Sequence, residues 1–125
     1  MTVPGDLTVE SDPAPTVKAT HWTETGESGL ETIMFTDIEG SVGLQQMLGT
    51  QRYAQLITRH GELFFEALTS AHAGKVEKHT GDGFMARFRE PNPAVEVALR
   101  FLWSLRNEDW GIKRGLRVRI GIHQG

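Results

Sequence analysis

Residues 75–88 read KVEKHTGDGFMARF: two short β-prone runs, Lys75 to Thr80 and Phe84 to Phe88, set about Gly81-Asp82-Gly83. Asp-Gly between such runs is a hairpin signal, because these residues tolerate the backbone a tight turn needs. In the second run Phe84, Ala86 and Phe88 alternate with Met85 and Arg87, which gives that strand one apolar face. Upstream, Thr32-Ile33-Met34-Phe35-Thr36 is a β-prone run ended by Asp37, read as a strand buried on both faces. Downstream, Leu116, Val118, Ile120 and Ile122 alternate with Arg117, Arg119, Gly121 and His123, a half-buried strand. Two helical patterns separate these strands. Gly40-Ser41 opens a helical stretch to about Leu48, broken by Gly49. After the break Tyr53, Leu56, Ile57, His60, Leu63, Phe64, Leu68 and Ala71 recur by threes and fours, with Gly74 just past the end. Pro91 and Pro93 start another helix, whose apolar stripe includes Ala94, Val97, Ala98, Phe101, Leu102 and Leu105. The order predicts an α+β fold with a ferredoxin-like βαββαβ core and an antiparallel sheet.

Residues 1–30 read differently. They hold three of the five prolines, many Ser, Thr and Glu, and no hydrophobic periodicity, so they are expected to form a flexible polar tail. Trp22 is the one large apolar residue there and a candidate to dock on the body. The boundary is placed near Leu30, with the domain at residues 31–125. Five acids and one base give the tail −4 of the chain's net −3, leaving the body at +1. A near-neutral body carries no electrostatic footprint for nucleic acid, which argues against such a partner. The 125 residues suit about one domain, 38% hydrophobic and 23% charged. No uncharged apolar run is long enough to span a membrane, and no secretory signal is visible. The absence of cysteine removes disulfides, thiol catalysis and zinc-thiolate sites, and with the missing signal points to a cytoplasmic protein.

The topology gives two aspartates a meaning that spacing does not. In this arrangement the first and third strands lie side by side at the sheet centre. The C-terminal end of one, at Asp37, then meets the N-terminal end of the other, at Asp82. Two carboxylates on one rim repel unless a cation lies between them. Oxygen ligands favour Mg²⁺ or Mn²⁺, and Mg²⁺ commonly takes one or two carboxylates plus substrate phosphates. The adjoining Ile38-Glu39-Gly40-Ser41 turn at a helix N-terminus presents backbone N–H groups suited to phosphate. Metal rim and phosphate loop together meet the needs of nucleotidyl transfer or cyclisation of a nucleoside triphosphate. Taken singly, Asp82 is also an ordinary hairpin residue and Asp37 an ordinary strand end or helix cap.

Three blocks carry a family resemblance: Phe35-Thr36-Asp37-Ile38-Glu39-Gly40-Ser41, the run from Lys78 to Phe88, and Arg119-Ile120-Gly121-Ile122-His123-Gln124-Gly125. In order and spacing they resemble the class III adenylate/guanylate cyclase catalytic domain, over about Glu31 to Gly125. The resemblance implies a nucleotide cyclase palm, with Asp37 and Asp82 holding two Mg²⁺ or Mn²⁺ ions and the Ile38 carbonyl completing the metal shell. It implies that Glu39, Gly40 and Ser41 approach the phosphates. Lys78 matches the lysine that reads adenine, where guanylate cyclases tend to have glutamate, so ATP is the expected substrate and GTP the lesser candidate. Glu77 stands beside it, one residue away from reversing that preference. The implied partner is a second copy, Asp37 and Asp82 of one protomer working with Lys78 of the other.

The family's catalytic domain also supplies a second base-reading residue, a ribose-orienting asparagine and a phosphate-stabilising arginine, all from segments later than Gly125. None of Arg114, Arg117 and Arg119 matches that arginine. The expectation is therefore an incomplete domain, inactive by itself. Two other readings compete: a non-catalytic cyclase-homology module for nucleotide binding, dimerisation or regulation, and, further off, a diguanylate-cyclase or polymerase-like palm. Of the remaining candidates, the five histidines form no ligand spacing, with His79 nearest the site. Trp103 and Trp110 read as packing residues.

Overall fold

The computed structural model describes residues 30–125. The tail, Trp22 included, lies outside the described residues. The elements are β1 (Thr32–Ile38), α1 (Ser41–Leu48), α2 (Thr50–Ala71), β2 (Lys75–Thr80), β3 (Gly83–Phe88), α3 (Pro91–Asn107) and β4 (Val118–Gln124). The βαββαβ order holds, with its first helix split in two at Gly49. The strands form one sheet in the order β2-β3-β1-β4, every pair antiparallel. Opposite Thr36 stand Phe84 on one side and Ile120 on the other, and opposite Asp37 stand Gly83 and Arg119.

Met34 and Ile38 of β1, with Phe84, Ala86 and Phe88 of β3, turn to the helices and are buried. They meet Leu63, Phe64 and Leu68 of α2 and Val97, Phe101 and Leu105 of α3. Each fully buried aromatic such as Phe64 or Phe101 contributes about 2–3 kcal/mol through area removed from water. An aromatic cluster binds the layers together. Phe64 stacks on Phe84 with centroids 4.4 Å apart and meets Phe101 edge-on at 5.0 Å.

Several expectations are corrected. The first strand is buried on one face only, because both crossovers place their helices on the same side and the other face of an antiparallel sheet can stay open. Phe35 on that open face is 52% exposed, while Thr32 and Thr36 are buried beneath the helices. Leu102 and Trp103 lie at the exposed margin of α3 instead of in its packed stripe; Trp103 is 57% exposed. Trp110 does pack against the core, its indole N–H donating to the Leu105 carbonyl at 2.9 Å. The second helix closes at His72, in a left-handed conformation with φ 53°, two residues before Gly74.

His60 is the one polar residue at the centre of the aromatic cluster. Its ring is fully buried against Phe84 and Phe101, and neither ring nitrogen has a hydrogen-bond partner. Burial, first, and the nearby His79 push its pKa from 6.5 down to about 4, against the opposing pull of Asp82. The neutral ring is thus favoured by the fold. Stability should be fully present above pH 6.5 and decline as pH falls from 6.5 through 4, where the unfolded chain binds the extra proton. One proton sets a limiting slope of about 1.4 kcal/mol per pH unit. Denaturant melts across that window should show the slope, and His60→Phe should flatten it.

Candidate functional site

Asp37 and Asp82 meet at the rim where β1 ends and β3 begins. The Ile38 N–H donates to the Asp82 carbonyl at 3.1 Å, so the main chain itself ties the two aspartates together. Gly83 makes this approach possible, since a Cβ there would lie 2.0 Å from the Thr36 carbonyl oxygen and 3.2 Å from Asp37 Cα. Next along, the Phe84 N–H donates to the buried Thr36 hydroxyl at 3.1 Å, and the Phe84 ring anchors the rim in the core. His79, nearest the rim among the histidines in sequence, stacks on the same ring at 4.4 Å.

Each carboxylate has a partner. Arg119 forks onto Asp37, its Nε at 3.0 Å from Oδ1 and its Nη2 at 2.8 Å from Oδ2. That contact, with Asp37's charge next and those of Glu39 and Asp82 after it, raises the Arg119 pKa. Ser41 donates its hydroxyl to Asp82 Oδ2 at 2.9 Å, so Ser41 joins the rim through Asp82. Tyr53 stands beside the same pair. Burial, first, and the Asp82 charge raise its phenol, while hydrogen bonding to Ser41 opposes them. The sequence places Tyr53 only in a helix stripe and Arg119 only in the third block, with no site role for either. Arg119 was legible only through register, since antiparallel pairing of β1 with β4 puts it opposite Asp37.

Glu39 and Gly40 form the turn into α1. Gly40 caps the helix in the left-handed region, φ 69°, and no side chain caps the first turn. The turn is held by Glu39 N–H to the Arg117 carbonyl at 2.8 Å and by Arg114 Nη2 to the Glu39 carbonyl at 3.1 Å. Lys78 lies away from this rim on β2, exposed, opposite Met85. A register shift between Val76 and Lys78 bulges out Glu77, which pairs with Arg87 at 3.3 Å and Lys75 at 3.7 Å. Lys78 forms no ion pair among the described residues.

The donor set at the rim is oxygen only: two carboxylates and the Ile38 main chain between them. Among the described residues no three His, Asp or Glu side chains gather into a ready cage. A hard divalent ion would take few protein ligands here and complete its shell with phosphate and water, as Mg²⁺ commonly does. The Arg119 guanidinium already occupies a cation's position against Asp37. These residues fit such an ion.

The sequence matches the family model described as Adenylate and Guanylate cyclase catalytic domain over residues 25–125. It is 31% identical over 98 residues to a Rhizobium meliloti (strain 1021) protein named "Putative adenylate cyclase 3", covering 77% of this chain and 16% of that protein. Among solved structures, an adenylate cyclase from Trypanosoma brucei in its monomeric state superposes with a TM-score of 0.71 at 24% identity, covering 78% of this chain and 57% of that one. The guanylate cyclase domain of RhGC from Catenaria anguillulae, in complex with GTP, superposes with a TM-score of 0.69 at 16% identity, covering 77% and 56%. The chain thus spans about a sixth of the curated relative and somewhat over half of the solved chains. Among the described residues no helix is long and apolar enough to cross a membrane.

Proposed function

The chain belongs to the adenylate and guanylate cyclase catalytic domain family, and we propose that it supplies the metal rim, phosphate loop and base-reading strand of a cytoplasmic adenylate cyclase acting in intracellular signalling. In that reaction the ribose 3′-oxygen of ATP attacks the α-phosphorus. The bond to the β-phosphate's bridging oxygen breaks, pyrophosphate departs, and the 3′-hydroxyl proton is lost, leaving 3′,5′-cyclic AMP. The observation that carries the proposal is the main-chain union of Asp37 and Asp82 at one rim.

Asp37, Asp82 and the Ile38 carbonyl are the groups that hold Mg²⁺ or Mn²⁺. When bound, two such ions supply the charge that acidifies the 3′-hydroxyl and neutralises the triphosphate. Glu39, Gly40 and Ser41 bring main-chain N–H groups to the phosphates. The left-handed turn at Gly40 and the uncapped first turn of α1 support this role. Ser41 also orients Asp82 through its hydroxyl. Lys78 reads adenine by donating to ring-nitrogen acceptors. Its freedom from ion pairing, beside a Glu77 committed to Arg87 and Lys75, supports lysine over glutamate as the reader. The active unit is a homodimer, in which Asp37 and Asp82 of one protomer work with Lys78 of the partner subunit.

The test is cyclic-nucleotide production from ATP or GTP with Mn²⁺. It is run on this chain and on a fusion carrying the C-terminal portion of the Trypanosoma brucei cyclase domain after Gly125. Cyclic AMP that disappears with Asp37→Asn supports the proposal. Binding of Mn²⁺ and ATP without product from either protein would turn the reading to a non-catalytic nucleotide-binding module. Lys78→Glu should lower kcat/KM for ATP by about 10–100-fold, the worth of a hydrogen bond from a charged donor, with a smaller loss for GTP. Equal losses for both nucleotides would remove Lys78 from base reading.

A further inference from the structure

A cavity of about 460 Å³, apart from the aspartate rim, opens between the C-terminal end of α3, the loop that follows it, and the start of β4. Leu105, Trp110 and Leu116 give it apolar walls, and Arg106, Arg114 and Arg117 line it with guanidinium groups. Its volume lies in the range of small-molecule sites.

The charge balance inside the cavity is uneven. Glu39 and Glu108 also line it; the Glu108 carboxylate is taken by Arg59, whose Nε and Nη2 each lie 3.1 Å from an oxygen, so three guanidinium groups stand against the one remaining carboxylate of Glu39. Among the described residues Arg106 and Arg117 form no ion pair, and Arg114 donates only to the main-chain oxygen of Glu39. Guanidinium groups gathered without carboxylate partners on an apolar-walled cleft are matched by an oxyanion, which they can bind in forked pairs. Trp110 is fixed by its bond to the Leu105 carbonyl and offers a rigid flat surface for an apolar body.

We propose that this cavity binds a small organic anion, a carboxylate or phosphate monoester on a flat apolar body. Arg114 and Arg117 hold the oxyanion, and the body lies among Leu105, Trp110 and Leu116. The site is wired to the turn beside Asp37. Arg114 Nη2 donates to the Glu39 carbonyl at 3.1 Å and lies 3.5 Å from where a Cβ on Gly40 would be. The Glu39 N–H in turn donates to the Arg117 carbonyl at 2.8 Å. A ligand that recruits the Arg114 guanidinium withdraws it from Glu39 and loosens the turn. Anion binding here therefore modulates the phosphate loop, a consequence that rests on the cyclase reading, whereas the binding itself does not.

The probes are 1-naphthoate and 1-naphthyl phosphate, with neutral 1-naphthalenemethanol and inorganic phosphate as controls, titrated into the ¹⁵N-labelled chain. The expected result is a shift of the Trp110 indole signal and of the Arg114 and Gly115 amides by one or both aromatic anions. Their Kd should be about tenfold or more below that of either control, the value of a charge-assisted contact. The two anions distinguish carboxylate from phosphate as the preferred head group. The double variant Arg114→Gln/Arg117→Gln should weaken the anions about tenfold or more with an unchanged melting temperature. Equal binding of naphthalenemethanol by the unaltered chain would overturn the site, as would undiminished anion binding by a folded double variant. Shifts reaching Gly40 and Ser41, which do not line the cavity, support the coupling, and their absence at saturation would overturn it. None of these readouts needs turnover, so loss of the anion site leaves the cyclase test standing, and the reverse also holds.

Discussion

Asp82→Asn is expected to lower cyclic-nucleotide formation in the fusion by about 10³-fold, because divalent-ion catalysis is worth several kcal/mol of transition-state stabilisation. The substitution keeps the shape of the side chain and removes its charge. The rim should survive it, since Ile38 is held by the Asp82 main-chain carbonyl and Ser41 can still donate to an amide oxygen. Asp37→Asn should behave alike. It gives up the fork with Arg119, but that pair is exposed and screened by solvent, so the fold should survive its loss. Initial rates at saturating Mn²⁺·ATP, with thermal melts of the same preparations, separate lost chemistry from lost structure. Activity within tenfold of the unaltered fusion, with Mn²⁺ still required, would remove either residue from the metal site.

Gly83→Ala is expected to be among the most destabilising single-methyl additions in the chain. The added Cβ would sit 2.0 Å from the Thr36 carbonyl oxygen, 3.0 Å from the Thr36 carbonyl carbon and 3.2 Å from Asp37 Cα. All three are backbone atoms of the central strand, so relief requires β1 and β3 to separate. Overpacking costs typically 1–3 kcal/mol, and with backbone as the obstacle about 3 kcal/mol or more is expected, a large share of a domain's 5–15 kcal/mol. Gly121→Ala is the control. It too lies in a strand beside β1, yet nothing stands within 4 Å of its added methyl. Urea unfolding should show a large fall in midpoint for the first variant and a small change for the second. The Ile38–Asp82 contact lies at the same joint, so Gly83→Ala should also weaken Mn²⁺ binding. Near-normal stability and metal affinity would mean that the rim is not held by this close approach.

How much of this was legible in the sequence varies residue by residue. The alternation of Phe84, Ala86 and Phe88, and the threes and fours from Leu56 to Leu68, report burial faithfully because those side chains meet the helix–sheet core directly. The convergence of Asp37 and Asp82 followed from topology alone, once the hairpin and both crossovers were placed. In β1 hydrophobicity and burial part company at three positions. Thr32 and Thr36 share the covered face with Met34 and Ile38 while Phe35 is outside, so composition alone does not tell which face is covered. Thr36 is inside because its hydroxyl accepts the Phe84 N–H, a bond invisible before register is known. The Arg119 fork on Asp37 and the Arg114 contact with Glu39 span 82 and 75 residues, distances over which no local pattern speaks. The Glu77 bulge is likewise a product of pairing, and it bears on whether lysine or glutamate faces a base.

If Asp37 and Asp82 form one divalent-cation site, Mn²⁺ titrated into the ¹⁵N-labelled chain reveals it by paramagnetic broadening. Signals of Asp37 to Ser41 and Gly81 to Gly83 should broaden first, and both Asp37→Asn and Asp82→Asn should abolish this at the same Mn²⁺ concentration. Broadening that ignores either substitution, or that gathers on the acidic residues before Leu30 and leaves this rim sharp, would contradict the shared site.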